Sequence, residues 1–217
     1  MFMISLVKQA RNLQKDGMRE PTQERGRKRV EAILAAAAQI VARSGVHAVT
    51  TTDVAKTAQV PVGSVYQFFE GAPDILQTLQ WRMGAEIVAE CRAAVDAMPD
   101  GEDWRDVNRR SFNTYWDGLL ARPVYIALQR EATVTQSLSQ SMSTGESDIG
   151  ELLRYCLAKG GVTLPPARED AIIETVLGAL SALTDLALLL DDVAARDLRR
   201  REMEHMTELY LADALEG

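Results

Sequence analysis

The chain has few of the residues that usually bind metals or carry out redox chemistry. Its 217 residues include only two cysteines and two histidines. Cys91 and Cys156 are far apart, and neither has the CxxC or Cys/His spacing that is typical of zinc or redox sites. His47 and His205 are equally isolated. We therefore expect no bound metal, and two reduced core thiols in a cytoplasmic protein.

The signature motifs of several other protein classes are missing as well. There is no Gly-rich phosphate loop and no nucleophile elbow, so we expect no enzymatic activity and no cofactor. The apolar run at residues 4–7 is far too short for a signal peptide or a membrane span, and no membrane partner is expected. No segment alternates with period two for long enough to require a β-strand. These patterns predict an all-α protein.

Charge is unevenly distributed along the chain. The formal net charge of -7 would by itself argue against nucleic acid as a partner. Residues 1–80, however, contain ten Lys/Arg and seven Asp/Glu, whereas residues 81–217 contain fourteen and twenty-four. A basic N-terminal part on an acidic remainder suits DNA binding, because phosphate contacts act locally. A chance asymmetry is the alternative.

The densest basic cluster consists of Arg25, Arg27, Lys28 and Arg29, just before an expected first helix at residues 28–44. As an arm, this cluster would lie along phosphates or enter an adjacent minor groove. A solvated helix start is the alternative, although cations at a helix N-terminus interact unfavourably with the helix dipole.

Residues 50–76 have the pattern of a helix-turn-helix. Thr50 and Asp53 form a capping box at the start of its first helix. Pro61 disfavours a helical conformation at the preceding residue and suits the first position of a second helix. The apolar anchors of that second helix are Val65, Phe68 and Phe69. The residues left to face outward are Val62, Gly63, Ser64, Tyr66 and Gln67.

A plain helical hairpin inside a bundle is the alternative interpretation of this segment. Two observations favour DNA binding instead. The helix expected at residues 28–44 has an apolar stripe at three- and four-residue spacing and ends at Gly45, which completes a three-helix unit. A packed hairpin would also have little use for Tyr66 and Gln67 on an outward face.

The order of residues over 28–76 resembles the TetR family of bacterial one-component repressors. The residues that agree in type and spacing are Gly45, Thr50, Thr51, Val54, Ala55, Ala58, Val60, Gly63, Val65, Tyr66, Phe69 and Leu76. The resemblance implies a helix-turn-helix domain at residues 25–73 and a larger helical domain at 74–217 that dimerises and binds a small ligand. Residues 1–24 are then an N-terminal extension, with Met18 as an alternative start to Met1.

The resemblance also implies which residues contact DNA. Thr52, Val62, Ser64 and Gln67 correspond to base-facing positions, Thr51 and Tyr66 to phosphate-facing ones, and Gly63 to a position of close approach. The whole expected DNA-binding surface comprises Arg27, Lys28, Thr50, Thr51, Thr52, Val62, Gly63, Ser64, Tyr66 and Gln67.

Three positions depart from the pattern of the family. Gln59 stands where the family usually has Gly, so the turn lacks an easy left-handed residue. Phe68 replaces a residue that is often polar. Ala72, followed by Pro73, replaces a Lys that normally grips a phosphate, which leaves only the N–H groups of the fourth helix for that contact.

The remaining chain predicts further helices at 74–98, 104–121, 123–140, 146–159, 169–190 and 192–215. A Ser/Thr-rich stretch at 137–148 is either a loop or a frayed helix, and residues 163–168, with two prolines, form a linker.

The segment 169–190 is apolar around most of its circumference, so it must be buried on more than one side. A second copy of the chain covers one side in our interpretation, and the central helix of a monomeric bundle is the alternative. The expected dimerisation residues on the last two helices are Ile173, Leu177, Leu180, Met203, Met206 and Tyr210.

Aromatic residues cluster in and after the fifth helix, where an apolar ligand pocket is expected. The expected ligand-binding residues are Trp104, Phe112, Tyr115, Trp116 and Tyr125. A plain aromatic core is the alternative. Candidate polar anchors are Asn113, Gln129, Glu131 and Asp185.

The sequence thus predicts a cytoplasmic, homodimeric, ligand-responsive transcriptional regulator. We expect a repressor that a small apolar or amphipathic effector releases from a double-stranded DNA operator. The fourth helix is expected to act as the lever, through Ile75, Leu76 and Leu79. The alternative is a helical interaction protein of the same fold with lost or weakened DNA binding.

Overall fold

The computed structural model describes residues 20–135 and 148–216, and it is built from α-helices within those ranges, with no β-strand. The all-α prediction is confirmed. The helices are α1 Glu20–Ser44, α2 Thr51–Thr57, α3 Val62–Val65, α4 Ala72–Asp96, α5 Trp104–Leu120, α6 Pro123–Thr135, α7 Asp148–Lys159, α8 Glu169–Leu188 and α9 Val193–Glu216. A short 3₁₀ turn, Val46–Ala48, joins α1 to α2.

The first helix begins earlier than the sequence pattern suggested. It starts at Glu20 rather than near residue 28, and Pro21 lies in its first turn, where proline is tolerated. The basic cluster therefore lies on the surface of a helix, so the expectation of an arm before the helix was wrong. The predictions about residues 1–19, including the choice between Met1 and Met18, fall outside the described residues.

The expected boundaries of the later helices agree with the structure to within about two residues at most ends. For α6, the expected end at Gln140 and the Ser/Thr-rich stretch after it lie outside the described residues, which stop at Thr135 and resume at Asp148. The shift at the start of α4, from Asp74 to Ala72, is the difference that bears on the candidate site.

The first four helices share one hydrophobic cluster, which we call the head core. Ile33 and Ile40 of α1, Val54 of α2 and Val65 of α3 are buried in it, together with Ile75 of α4. The head core also contains Leu128, which lies on α6 and is more than fifty positions further along the chain. The sixth helix therefore packs directly into the N-terminal unit.

The turn between α2 and α3 has the geometry of a Schellman motif, with Gln59 at the left-handed position. Gln59 has φ 55°, and no other non-glycine residue in the described ranges has a positive φ. The Val60 N–H donates to the Ala55 carbonyl at 3.0 Å, and the Gln59 N–H donates to the Lys56 carbonyl at 3.3 Å. This is the hydrogen-bond pattern of that motif, which usually carries Gly at this point. Gln59 therefore adopts the left-handed backbone conformation that the sequence led us to expect to be unfavourable for a residue with a Cβ.

The second half of α4 and helices α5 to α9 form the remainder of the molecule, which we call the body. Ile87, Cys91 and Val95 of α4 pack against α5, α6 and α7, while α8 packs on α9. At one point two backbones nearly touch, because a Cβ added to Gly160, just after α7, would lie 2.3 Å from the Trp104 Cα at the start of α5. Only glycine fits there.

The eighth helix is the most apolar of the described elements. By length and composition alone Glu169–Leu188 would pass as a membrane-spanning helix, with a mean hydropathy of 1.7 over its most apolar window, of which 28% is buried. No other described helix has this property. Ile172, Ile173 and Val176 line its buried side, whereas Leu186 and Leu189 are exposed.

Replacing Gln59 with glycine is expected to raise the free energy of unfolding by about 1 kcal/mol, because a left-handed conformation costs a residue with a Cβ roughly that amount. Urea unfolding followed by circular dichroism measures the change. Gln59→Ala is the control, since it shortens the side chain but keeps the Cβ and should give no such gain. Equal stabilisation by both variants would show that the backbone conformation is not the cause.

Candidate DNA-binding and ligand-binding sites

The start of α2 is capped as the sequence indicated. Thr50 has an extended backbone, and its Oγ1 accepts a hydrogen bond from the Asp53 N–H at 3.1 Å. The Thr50 hydroxyl in turn donates to the Asp53 carboxylate at 2.6 Å. The Thr50 side chain thus accepts a hydrogen bond from a backbone N–H that has no partner within the helix. This cap fixes the first turn of α2, which contains Thr51 and Thr52.

The two residues that the sequence assigned to phosphate contacts lie side by side. The Thr51 hydroxyl, at the start of α2, and the Tyr66 hydroxyl, just after α3, share a hydrogen bond of 3.0 Å. Tyr66 is exposed and Thr51 is partly exposed. Because one of the two hydroxyls donates to the other, a single O–H of the pair is left to donate to a further acceptor such as a phosphate oxygen.

Most of the expected base-facing residues share the open surface of α2 and α3. Thr52, Val62 and Gln67 are exposed, and a Cβ added to Gly63 would meet no atom within 4 Å. Ser64 departs from the expectation because it is 9% exposed and lies among the buried residues. Ser64 is therefore less open to a base edge than Thr52, Val62 and Gln67.

The basic cluster lies beside the helix-turn-helix, where α1 contacts the end of the second helix. Phe68, expected to be an apolar anchor of the second helix, is instead exposed, at 38%, and a Cβ added to Gly26 would lie 3.8 Å from its ring. Arg27 and Lys28 are exposed next to this contact. Lys28 pairs with Glu24 at 2.8 Å, an exposed pair of small energetic consequence. The remaining cations are available for phosphates.

The start of α4 is acidic, and no cation lies at residues 70–76 to hold a phosphate. Ala72 is its first residue, and the Gly71 cap makes no side-chain hydrogen bond. The Asp74 carboxylate instead accepts from the Glu70 N–H at 2.9 Å. With the carboxylates of Asp74 and the exposed Glu70 at this point, the helix dipole is already compensated.

Several contacts that sequence reasoning missed tie the head to the body. His47 Nε2, in the 3₁₀ turn before α2, lies 3.2 Å from Glu131 Oε2 on α6. Gln80 of α4 donates to Gln129 of α6. These pairs come from segments distant in the chain, so only the fold brings them together.

The five aromatic residues expected to form one ligand pocket are instead divided among three packing clusters. Trp104 packs against α7, α8 and α9, while Phe112 and Trp116 pack with Ala187 and Met203. Tyr115 and Tyr125 pack near Ile87 and Cys91. The structure therefore does not bring the five side chains into one cluster, and their role in ligand binding stays a prediction. Residues three or four positions apart share a helix face, but the face contacts different neighbours along its length.

A polar group lies inside the body where α4, α5, α6 and α7 meet. Burial raises the pKa of Tyr115 strongly, and its hydroxyl donates a hydrogen bond to Tyr125. Burial also raises the pKa of Cys91 to about 12, with smaller contributions from Cys156 and Glu90. Burial likewise raises the pKa of Cys156. Asp185, one of the candidate polar anchors, lies close enough to Tyr115 and Tyr125 to add to the rise in the pKa of both. The tyrosines and thiols of this region are neutral at pH 7.

Two open cavities lie on the outer side of α5. One, of about 660 Å³, has charged walls that include Glu90, Arg110 and Arg122. The other, of about 470 Å³, lies between α5 and the start of α9 and includes Trp116, which belongs to the expected ligand-binding set. Both volumes are within the range of small-molecule sites.

The residues expected to mediate dimerisation fall into two groups. Ile173 and Met203 are buried in the core of their own chain, so they are unavailable to a partner. Leu177, Leu180 and Tyr210 are partly buried, and Met206 is exposed. The helical faces that are open in this chain lie next to the expected ones: the exposed large apolar residues of the last two helices are Leu186, Leu189, Val193, Leu198, Met206 and Leu209.

No group of three or more His, Cys, Asp or Glu in the described ranges is arranged to hold a metal ion. The candidate anchors Asn113, Gln129 and Glu131 are also dispersed. Asn113 accepts from Arg200 at the smaller cavity, whereas Gln129 and Glu131 face α4 and the 3₁₀ turn.

Comparison with protein families finds one match, to "Bacterial regulatory proteins, tetR family", over residues 33–77. This range contains α2, α3 and most of the head core. Comparison with curated protein sequences finds no match.

Several solved structures share the fold. A TetR-family transcriptional regulator from Streptomyces coelicolor superposes with TM-score 0.65 at 22% identity, covering 86% of this chain and 99% of that one. The repressor AlkX from Dietzia sp. strain DQ12-45-1b, implicated in biodegradation of n-alkanes, gives 0.60 at 15% identity, with 84% and 95% covered. The fatty acid degradation regulator FadR from Bacillus halodurans gives 0.57 at 18% identity, with 82% and 94% covered.

Because the thiols of Cys91 and Cys156 are buried with raised pKa values, we expect neither to react with Ellman's reagent in the native protein at pH 8. Reaction of both is expected once the protein is unfolded in guanidinium chloride. Absorbance at 412 nm counts the thiols in each state. Rapid reaction of one thiol in the native state would show that the body core opens to solvent.

Proposed function

We propose that this protein is a cytoplasmic transcriptional repressor that binds a DNA operator as a homodimer. Two findings support the proposal: residues 33–77 match the tetR family of bacterial regulatory proteins, and the described chain shares its fold with solved regulators of that family. A small apolar or amphipathic effector releases the repressor from the operator. In this proposal residues 25–73 are the DNA-binding domain and residues 74–217 the domain that dimerises and binds the effector, with α4 shared between the two.

The observation that carries DNA binding is the set of oriented groups on the open surface of α2 and α3. The Thr51–Tyr66 hydroxyl pair supplies phosphate contacts, and Thr52, Val62 and Gln67 read base edges from the same surface. Gly63 allows the helix backbone to approach the major groove closely. Arg27 and Lys28 add phosphate contacts from the flank.

The homodimer in this proposal forms through α8 and α9. Ala171, Thr175, Ala182 and Leu186 are exposed along one face of α8, and a Cβ added to Gly178 on that face would meet nothing within 4 Å. Small residues let two helices approach closely, and burial of this face against a second copy would remove exposed leucines from water. Dimerisation also sets the two reading heads at the spacing of successive major grooves, about 34–36 Å.

The effector acts in this proposal by shifting the population between two dimer arrangements, one of which holds the heads at operator spacing. Helix α4 spans both parts, with Ile75 and Leu79 in the head core and Ile87 and Cys91 in the body. Helix α6 joins them a second time through Leu128. Movement at the body end of either helix therefore reaches the head.

A helical interaction protein of the same fold, with lost or weakened DNA binding, is the second candidate. The acidic start of α4, with Glu70, Ala72 and Asp74 where a cation usually holds a phosphate, is the observation that favours it. Mobility-shift titrations against the upstream region of the protein's own gene and neighbouring promoters separate the two. A salt-sensitive, sequence-selective shift supports the repressor, and its absence from all of these fragments supports the interaction protein.

Two substitutions are expected to separate base reading from phosphate binding. Gln67→Ala should change the preferred operator sequence, with a cost of about 1–3 kcal/mol at the bases that it contacts. Arg27→Gln should weaken binding to all sequences and reduce the slope of log K against log salt by about 1. Fluorescence anisotropy at several salt concentrations, with operator and scrambled DNA, measures both effects.

Arg168→Gln is the matched control, because Arg168 is an exposed arginine of the body. If this control changed the salt slope as much as Arg27→Gln, the head would not be the site of phosphate contact. Loss of sequence preference on Arg27→Gln would contradict the assigned roles as well.

Replacing Leu186, on α8, and Leu189, just after it, together with Glu is expected to convert the dimer into a monomer, because four carboxylates, two from each copy, would be buried at the interface. Sedimentation equilibrium should then give the 23.9 kDa chain mass instead of twice that value. Leu120→Glu is the control, since Leu120 is also an exposed leucine but lies on α5. A double variant that stays dimeric would place the interface elsewhere.

A further inference from the structure

The smaller cavity has one apolar wall and one cationic wall. Trp116 and Leu120 of α5 and Val193 at the start of α9 form the apolar wall. Trp116 is buried and fixed in position, whereas Val193 is 72% exposed at the mouth. Arg196 and Arg200 of α9 lie across from them, together with Asn113 of α5. The volume of about 470 Å³ is that of a small-molecule site.

Arg196 is the cation in this groove that lacks an anionic partner. It forms no ion pair with any described residue. Its side chain donates one hydrogen bond within the described chain, from Nη2 to the Leu190 carbonyl at 3.0 Å. Its Nε is buried and has no hydrogen-bond partner in the described chain. A buried donor without a partner is costly, and a carboxylate oxygen would satisfy it.

The other cation of the groove is already neutralised. Arg200 pairs with Asp197 at 2.9 Å and with Glu204 at 3.2 Å, and it also donates to Asn113. Asp197 pairs with Arg201 as well, at 2.6 Å. These arginines hold the pKa of Asp197 below its usual range, so its charge is fully engaged. This wall of the groove therefore carries one unpaired positive charge, that of Arg196.

One acidic residue remains on the opposite rim. Asp117 of α5 lines both cavities, is exposed, and forms no ion pair with any described residue. Water screens an exposed carboxylate far more effectively than a partly buried guanidinium. Asp117 therefore weakens the attraction of the groove for an anion without reversing it.

We propose that the groove between α5 and the start of α9 binds an amphipathic carboxylate, with the carboxylate on Arg196 and the hydrocarbon part against Trp116, Leu120 and Val193. The planar guanidinium suits a carboxylate because two parallel N–H donors meet its two oxygens. This inference rests on the proposed function in that the bound acid is taken to be the effector.

The hydrogen bonds around the groove connect it to the head. Arg196 holds the carbonyl of Leu190, and Arg130 of α6 donates to the carbonyl of Leu188 two residues earlier. Both arginines thus donate hydrogen bonds to backbone carbonyls at the end of α8 and in the short segment that follows it. Leu128, on the same helix as Arg130, is buried in the head core. A carboxylate that draws Arg196 away from Leu190 loosens the end of α8 that anchors α6.

Isothermal titration with octanoate, and with octan-1-ol as its uncharged counterpart, tests the binding site. Arg196→Gln should weaken octanoate binding about tenfold or more while changing octan-1-ol binding less than about twofold. Arg199→Gln is the matched control, because Arg199 lies on the same helix and also donates to a carbonyl, that of Leu186, but does not line the groove. It should change neither affinity.

Two further variants keep the test independent of any damage to the α8–α9 turn. Arg196→Lys keeps the charge but loses the paired donors, and should give an intermediate loss of octanoate affinity. Asp117→Asn removes the like charge on the rim, and should strengthen octanoate binding by about two- to threefold at low salt. Weaker binding on Asp117→Asn, or equal loss from the Gln variants at 196 and 199, would overturn the proposal.

Mobility shift in the presence of octanoate separates failure of this inference from failure of the proposed function. If the protein retards its operator DNA, and octanoate abolishes that shift for the wild type but not for Arg196→Gln, the groove assignment and the repressor function are both supported. A shift that octanoate leaves unchanged, with no heat of binding, overturns the groove assignment and leaves the repressor intact. Octanoate binding without any operator shift would instead overturn the repressor.

Discussion

The packing of α6 into two hydrophobic cores is the constraint on which the rest of the architecture depends. Leu128 is buried with the helices of the reading head, and Tyr125, three residues earlier, is buried in the body. Successive turns of one rigid helix thus belong to different cores, and the head has no independent freedom to rotate. At the surface, the contact between His47 and Glu131 links the 3₁₀ turn of the head to the same helix, α6. The orientation of the reading surface is a property of the whole chain.

Positive and negative charges lie in different parts of the molecule. Cations on α1 flank the reading surface, while the start of α4 and most of the body are acidic. Affinity for DNA is then confined to a small area, which keeps the larger part of the protein away from the phosphate backbone. Inside the body many arginines are paired with carboxylates, whereas Arg196 has no carboxylate partner among the described residues and faces a groove whose other cation, Arg200, is paired.

Local patterns in the sequence were enough to predict the parts of this fold that depend on neighbouring residues. The Thr50 cap, the turn at Gln59 and most ends of the later helices follow from residues within one or two turns, although the start of α1 was missed by eight residues. Other expectations were not met because they depend on residues distant in the chain. The five aromatic residues share helix faces yet enter three clusters, and Ile173 faces inward because α9 covers it. Spacing gives a face but not the neighbour that the face meets.

The near-contact between Gly160 and Trp104 limits how the body can rearrange. Because a bare glycine backbone lies against the first residue of α5, the end of α7 has no side chain there that could change rotamer and absorb a displacement. Sliding of α5 along α7 would drive one main chain into the other. The junction therefore fixes the spacing between the start of α5 and the end of α7. Any displacement of α5 against α7 must be taken up away from this point, toward the end of α5 that borders the groove.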